Sequence, residues 1–153
     1  MYHFKAEQFL PITISQAWDF FSSPKNLSII TPPQMNFRIV SSYAEEEIRT
    51  GMQLRYKLKP LLGIPVKWES LITAFNAPHT FTDLQTKGPY AFWEHVHHFV
   101  EKDGGVLIVD EISYKLPMGI IGRVMHLLIV RKKIEKIFEY RRSVLNKLFS
   151  TSR

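Results

Sequence analysis

Apolar and polar residues alternate at the start of the chain. Tyr2, Phe4 and Ala6 interleave with His3, Lys5 and Glu7, which predicts a half-buried strand ended by Pro11. Ser15 is a suitable N-cap for a short helix over Gln16–Ser22 that buries Ala17, Phe20 and Phe21. Pro24 opens a second short helical piece with Leu27 and Ile30 inward, stopped by Pro32-Pro33. Period-two patterns follow. Phe37 and Ile39 mark a strand near residues 35–43, and Leu54, Tyr56 and Leu58 mark the next. Residues 60–65 read as an apolar loop. Trp68, Ser70 and Ile72 share one face of a strand over 66–75, and Phe81, Asp83 and Gln85 share one face of another over 80–86.

The longest alternating stretch lies between Gly88 and Pro117, with Asp103-Gly104 in its middle. Asp-Gly suits the positive φ angles of a two-residue type I′ hairpin turn. Such a turn pairs Phe99 with Ile108, His97 with Asp110, His95 with Ile112 and Trp93 with Tyr114, all on one sheet face. That face is apolar and aromatic at its ends and polar in the middle, as a small-molecule pocket wall is.

After Gly119 the period changes. Val124, Leu127, Leu128, Ile134, Ile137, Phe138, Leu145 and Leu148 recur at helical spacing, with Arg131, Lys132, Lys133, Glu135, Lys136, Glu139 and Arg142 between them. This predicts one amphipathic helix of about thirty residues, roughly 45 Å long, enough to cross a whole sheet. The layout is strand, two short helices, further strands and one long helix. It predicts a single α+β domain over 1–153: a curved antiparallel sheet of about six or seven strands gripping the terminal helix.

Composition narrows the function classes. With 45% hydrophobic and 13% aromatic residues, the chain is built to bury a core. Cysteine is absent, which removes disulfides, cysteine nucleophiles and thiolate metal sites and fits a reducing compartment. No basic-then-apolar run opens the chain, and no stretch is apolar and long enough for a membrane span, so a cytoplasmic location is expected. The net charge of +6 gathers toward the C-terminal helix. Arg131-Lys132-Lys133, Lys136 and Arg141-Arg142 read as a solvated helix face. No stacking platform or groove-reading motif accompanies them, so nucleic acid is not an expected partner.

An ordered set of residues resembles a known superfamily. It comprises Asn26-Leu27 with Thr31-Pro32-Pro33, Trp68, Phe81 with Asp83, Gly88-Pro89-Tyr90 with Trp93, His95, His97 and Phe99, Gly104-Gly105 with Asp110, Tyr114 and Pro117, then Ile137-Phe138 with Tyr140-Arg141. The likeness spans nearly the whole chain and is to the helix-grip, or SRPBCC, superfamily of START lipid-transfer domains, birch-pollen-allergen-like proteins and polyketide cyclases. It is nearest to small bacterial members and to the similar domain of some sugar-epimerase-like proteins. The resemblance implies a cavity between sheet and helix that holds an apolar ligand, but it assigns no chemistry.

Candidate ligand-binding residues are Trp68, Phe81, Asp83, Trp93 and His95, followed by His97, Phe99, Ile108, Asp110, Ile112 and Tyr114. Among aromatics, Trp18, Phe20, Phe21, Phe37 and Tyr56 are further candidates to line the cavity or fill the core. His97 beside Asp110 suits either a general base with its orienting carboxylate or a self-satisfied buried pair. Asp83, Gln85, Trp93 and His95 could meet as a polar patch or as a network holding strand register. His95 and His97 with Asp83 or Asp110 would make two histidines and a carboxylate. The pattern is incomplete, so no metal and no other cofactor is expected. Leu61-Leu62-Gly63-Ile64 and Ile120-Ile121 could be apolar tips that touch a membrane transiently.

The expected function is binding or transport of a small hydrophobic molecule, a lipid or an aromatic compound. Two alternatives compete with it. One is a cyclase- or dehydratase-like enzyme on a polyketide-like substrate, with His97 and Asp110 as base and orienter and Tyr114 as proton donor. The other is a regulatory interaction module.

Overall fold

The computed structural model describes residues 1–42, 46–61 and 63–150, without the side chain of Leu61. The expected apolar tip at Leu61-Leu62 and the end of the strand expected over 35–43 therefore lie partly outside the described residues.

Seven strands form one antiparallel sheet: β1 (Tyr2–Leu10), β2 (Arg38–Ile39), β3 (Gln53–Leu61), β4 (Ile64–Asn76), β5 (Thr80–Lys87), β6 (Phe92–Lys102) and β7 (Gly105–Lys115). Their spatial order is β1-β7-β6-β5-β4-β3-β2. The meander runs from β2 to β7, and β1 returns beside β7. The central hairpin has the expected register: Phe99 opposite Ile108, His97 opposite Asp110, His95 opposite Ile112 and Trp93 opposite Tyr114. Asp103 and Gly104 take φ +48° and +78°, the left-handed angles that a two-residue turn of this kind needs.

Several local expectations need correction. Helix α1 (Ile14–Phe21) is capped by Thr13, not Ser15. Gln16 sits three residues after Thr13, so each side chain binds the other's backbone N–H in a capping box. Its fully buried residues are Ala17 and Trp18. Two 3₁₀ turns follow, Pro24–Ser28 and Pro33–Met35. The expected apolar loop over 60–65 is largely strand, because β3 and β4 continue almost to the turn. Pro60 is accommodated at an irregularity in their pairing between Leu58 and Leu61.

The chain closes with α2 (Gly119–Met125), a π-helical turn over His126–Val130, and α3 (Arg131–Leu148), continuous over thirty residues. The expected buried stripe is wrong in its first half. Val124, Leu127 and Leu128 are exposed, as is Leu148 at the other end. The sheet-facing side is Gly122, His126, Val130 and Ile134, at four-residue steps. In an ideal α-helix such steps drift by about 40° each, and a wider π turn absorbs that drift. Arg141, expected in solvent, is buried on the inner face between Phe138 and Leu145.

Candidate functional site

A cavity of about 210 Å³ lies between the sheet, α3 and the segment from α1 to the second 3₁₀ turn. Its walls follow from the alternation already described. Tyr56 and Trp68 come from adjacent strands β3 and β4, Phe81 from β5, and Trp93, His95 and His97 from β6. Phe20 and Phe21 close one side, while Ile134, Ile137, Phe138 and Arg141 cover it from α3. Burial pushes the Tyr56 and Tyr90 hydroxyls far above the ordinary phenol range, so both remain neutral.

Of the expected ligand-binding residues, Trp68, Phe81, Asp83, Trp93, His95, His97 and Ile112 line this cavity. The other four are placed differently. Phe99 and Ile108 pack in the main core, where Trp18 meets the rings of Phe75, Phe81 and Phe99 edge-on. Trp18 is itself core, its indole N–H donating to Glu47 at 2.9 Å. Asp110 lies behind the histidines, facing a groove between β1 and α3. Tyr114 belongs to a second cluster, where its hydroxyl is 2.8 Å from His126 Nε2 and the His126 ring stacks on Tyr2.

The polar spot in the cavity wall is a row that crosses four strands. Trp68 Nε1–H donates to Ser70 Oγ at 3.2 Å, and the Ser70 hydroxyl donates to Asp83 Oδ1 at 3.3 Å. His97 Nε2 meets Asp83 Oδ2 at 3.0 Å. His95 Nε2 meets Asp110 Oδ1 at 2.8 Å. The partners are thus diagonal: His97 faces Asp110 in register, yet its aligned hydrogen bond runs to Asp83. Its Nδ1 stands 3.0 Å from Asp110 Oδ1 but off line for a hydrogen bond. From the helix, Arg141 Nη1 approaches the same oxygen to 3.8 Å.

Burial resists charge throughout this row, and pairing decides which groups keep it. It pushes the Asp83 carboxyl up, but the His97 hydrogen bond and the two imidazoles outweigh it and leave the group below its ordinary value. Burial also opposes charge on Asp110, but Arg141 and then the two histidines hold it well below the carboxylate range. His95 is lowered by burial and by its neighbour His97. For His97, burial is overcome by contacts with Asp110 and Asp83, and its value rises. One assignment cancels the charge: two carboxylates balanced by Arg141 and a protonated His97, with His95 neutral.

Hydrogen bonds pair most of the polar atoms of the row, and its one hydroxyl, Ser70 Oγ, donates to Asp83 rather than to an imidazole. Asp83, His95 and His97 do offer donor atoms within 4.8 Å of one another. However, His97 Nε2 is already bound to Asp83, His95 Nε2 is bound to Asp110, and the Arg141 cation lies alongside. Gln85 does not join the patch. Its amide clamps the β5–β6 turn, donating to the Tyr90 carbonyl at 2.8 Å and accepting from the Tyr90 N–H at 3.3 Å. Arg141 and His126 were missed by sequence reasoning. The available signal was position: Arg141 falls three residues after Phe138 and four before Leu145, on the apolar stripe rather than beside it.

No family model and no curated protein matches the chain. Solved structures do. The protein TTHA0849 of Thermus thermophilus is 18% identical with a TM-score of 0.69, covering 99% of this chain and 100% of that one. The protein Ara h 8.0201 is 14% identical with a TM-score of 0.64, covering 95% and 98%. A nucleoside-diphosphate sugar epimerase of Corynebacterium glutamicum is 22% identical with a TM-score of 0.65 over 94% of this chain, but only 28% of its own length is covered. At these identities the likeness concerns architecture. With its seven-stranded antiparallel sheet and thirty-residue terminal helix, the chain has a helix-grip fold.

Proposed function

We propose that this protein binds and carries a small hydrophobic molecule in the cavity between sheet and α3. The carrying observation is the cavity itself: a mainly aromatic and aliphatic enclosure with a hydrogen-bonded polar row in its sheet wall. Binding there is driven by apolar burial, with the polar row fixing orientation. The absence of cysteine suits work in the cytoplasm. The test is a thermal melt with an environment-sensitive apolar dye and a panel of lipids and aromatic compounds. A ligand that prefers the native state raises its melting temperature by mass action. Saturable binding with such a shift supports the reading; no shift with any apolar ligand refutes it.

The enzyme reading has less support, since Tyr114 is hydrogen-bonded to His126 and does not line the cavity that His97 borders. A carrier also needs somewhere to exchange cargo, and the first half of the terminal helix supplies a surface. Ile120, Ile121, Val124, Leu127 and Leu128 are exposed and are flanked by exposed Arg123, Arg131, Lys132 and Lys133. An apolar face with a basic border suits transient contact with an anionic bilayer. Its test is co-sedimentation with phosphatidylserine vesicles, in which Leu127→Ser with Leu128→Ser should lower the bound fraction. Equal sedimentation with neutral and anionic vesicles would count against it.

A further inference from the structure

Arg141 is 7% exposed and lines the cavity, yet none of its guanidinium N–H groups makes a hydrogen bond to the described residues. Its nearest carboxylate oxygen is 3.8 Å from Nη1. Its Nε is fully buried without a partner. The guanidinium is held in place by the ring faces of Phe21 at 5.1 Å and Phe138 at 5.4 Å. Stacking of this kind positions the fork but accepts none of its protons.

Asp110 cannot be the whole reason for this arginine. Its Oδ1 already takes His95 Nε2 and faces His97 Nδ1, while Asp83 is occupied by Ser70 and His97. A buried donor left unpaired costs free energy that folding alone does not recover. Five donors in a rigid, preset fork match the two oxygens of a carboxylate. Apart from Arg141, the paired row of Ser70, Asp83, His95 and His97, and the small polar residues Ser23, Asn26 and Thr31, the lining is aromatic and aliphatic, so the complementary molecule has an apolar body and one anionic end.

Resting on the carrier reading above, we infer that the cavity's ligand is an amphipathic carboxylic acid, its carboxylate held by the Arg141 guanidinium and its apolar body lying against Tyr56, Trp68 and Trp93. The small volume favours a medium-length chain or a single ring system over a two-chain lipid.

The test is isothermal titration of the full chain with decanoate, methyl decanoate and decanol. These share a body and differ at the head. Decanoate should bind about tenfold or more tighter than the ester, as a charge-assisted fork against a neutral acceptor implies. Arg141→Met should bring that ratio close to one while leaving ester affinity within about threefold, since the apolar enclosure remains. Arg141→Lys, which keeps the charge but not the fork, should give an intermediate ratio and serves if the methionine variant does not fold. If ester and acid bind the parent protein equally, the head-group assignment is overturned and the carrier reading stands. If the preference persists unchanged in Arg141→Met or Arg141→Lys, the anionic end is held elsewhere and the assignment to Arg141 is overturned. If none of the three molecules binds, both readings fall.

Discussion

The two ends of the central hairpin obey the same alternation and do different jobs. Near the turn, Phe99 and Ile108 point to the same face as Trp93 and His95 do farther along. Trp18 and Phe21 from α1 seal the turn end, stacking edge-on or tilted against Phe99, and that end is solid core. At the far end Ile134, Ile137 and Phe138 of α3 approach this face but leave a space beneath them, and Trp93, His95 and Ile112 border the cavity. Alternation decides which face a residue occupies; the element packed above it decides whether that face is filled or open.

The largest effect should come from removing what covers both ends. Deleting the chain from Ile134 onward takes away Ile134, Ile137, Phe138 and Leu145. Each buried side chain of this kind contributes about 1.5–3 kcal/mol, a sum comparable with the whole stability of a domain. The truncated protein should unfold or aggregate. Cooperative melting near the parent temperature would contradict the grip arrangement.

At the filled end, Phe99→Ala should cost about 3–5 kcal/mol and leave ligand preference intact in whatever fraction stays folded. At the open end, Trp93→Ala should cost less, because it faces existing space, but should alter binding. Chemical denaturation and titration of the two variants would separate the ends. Equal stability losses would erase the distinction between them.

A smaller effect concerns the polar row. Asp83 and Asp110 have depressed values, so their contribution is present above the ordinary carboxylate range near 3.9 and is lost as pH falls through their folded values. His95, also depressed, contributes above about 6.5 and loses that contribution as pH falls through its folded value. His97 runs the other way. Its raised value gives stability that is complete below about 6.5 and is lost as pH rises through the folded value. The acid limb should therefore be steep. Asp110→Asn should be less stable than the parent at neutral pH and approach it as both are acidified. Parallel curves of melting temperature against pH for the two proteins would remove Asp110 from this account.

The smallest effects are controls. Glu94→Ala lies on the other sheet face from Trp93 and should change neither stability nor binding appreciably. A chelator should leave the melting temperature unchanged, because the Nε2 atoms of His95 and His97 are already engaged by Asp110 and Asp83. Loss of a stoichiometric ion on His95→Ala would reverse that conclusion.

Much of this was legible in the chain. The Asp103-Gly104 pair set the hairpin register, and that register brought His95, His97 and Asp110 together. What escaped was set by partners that alternation does not name. Trp18 looked like one more cavity aromatic, but α1 places it over Phe99. Tyr114 looked like a site residue, but His126 claims it from a π-helical turn that a regular 3.6-residue period does not reveal. Arg141 looked like part of a basic run, although its spacing from Phe138 and Leu145 places it inside.

The proposed carrier function requires the open end of the hairpin face to hold an apolar ligand. The most direct test compares ligand-induced melting shifts in the parent, Trp93→Ala and Glu94→Ala proteins, using one dye or fatty acid that saturates the parent. The parent should shift, Glu94→Ala should shift equally, and Trp93→Ala should shift by a different amount. No shift in the parent, or identical shifts in all three, would mean that the space beside Trp93 is not the binding site.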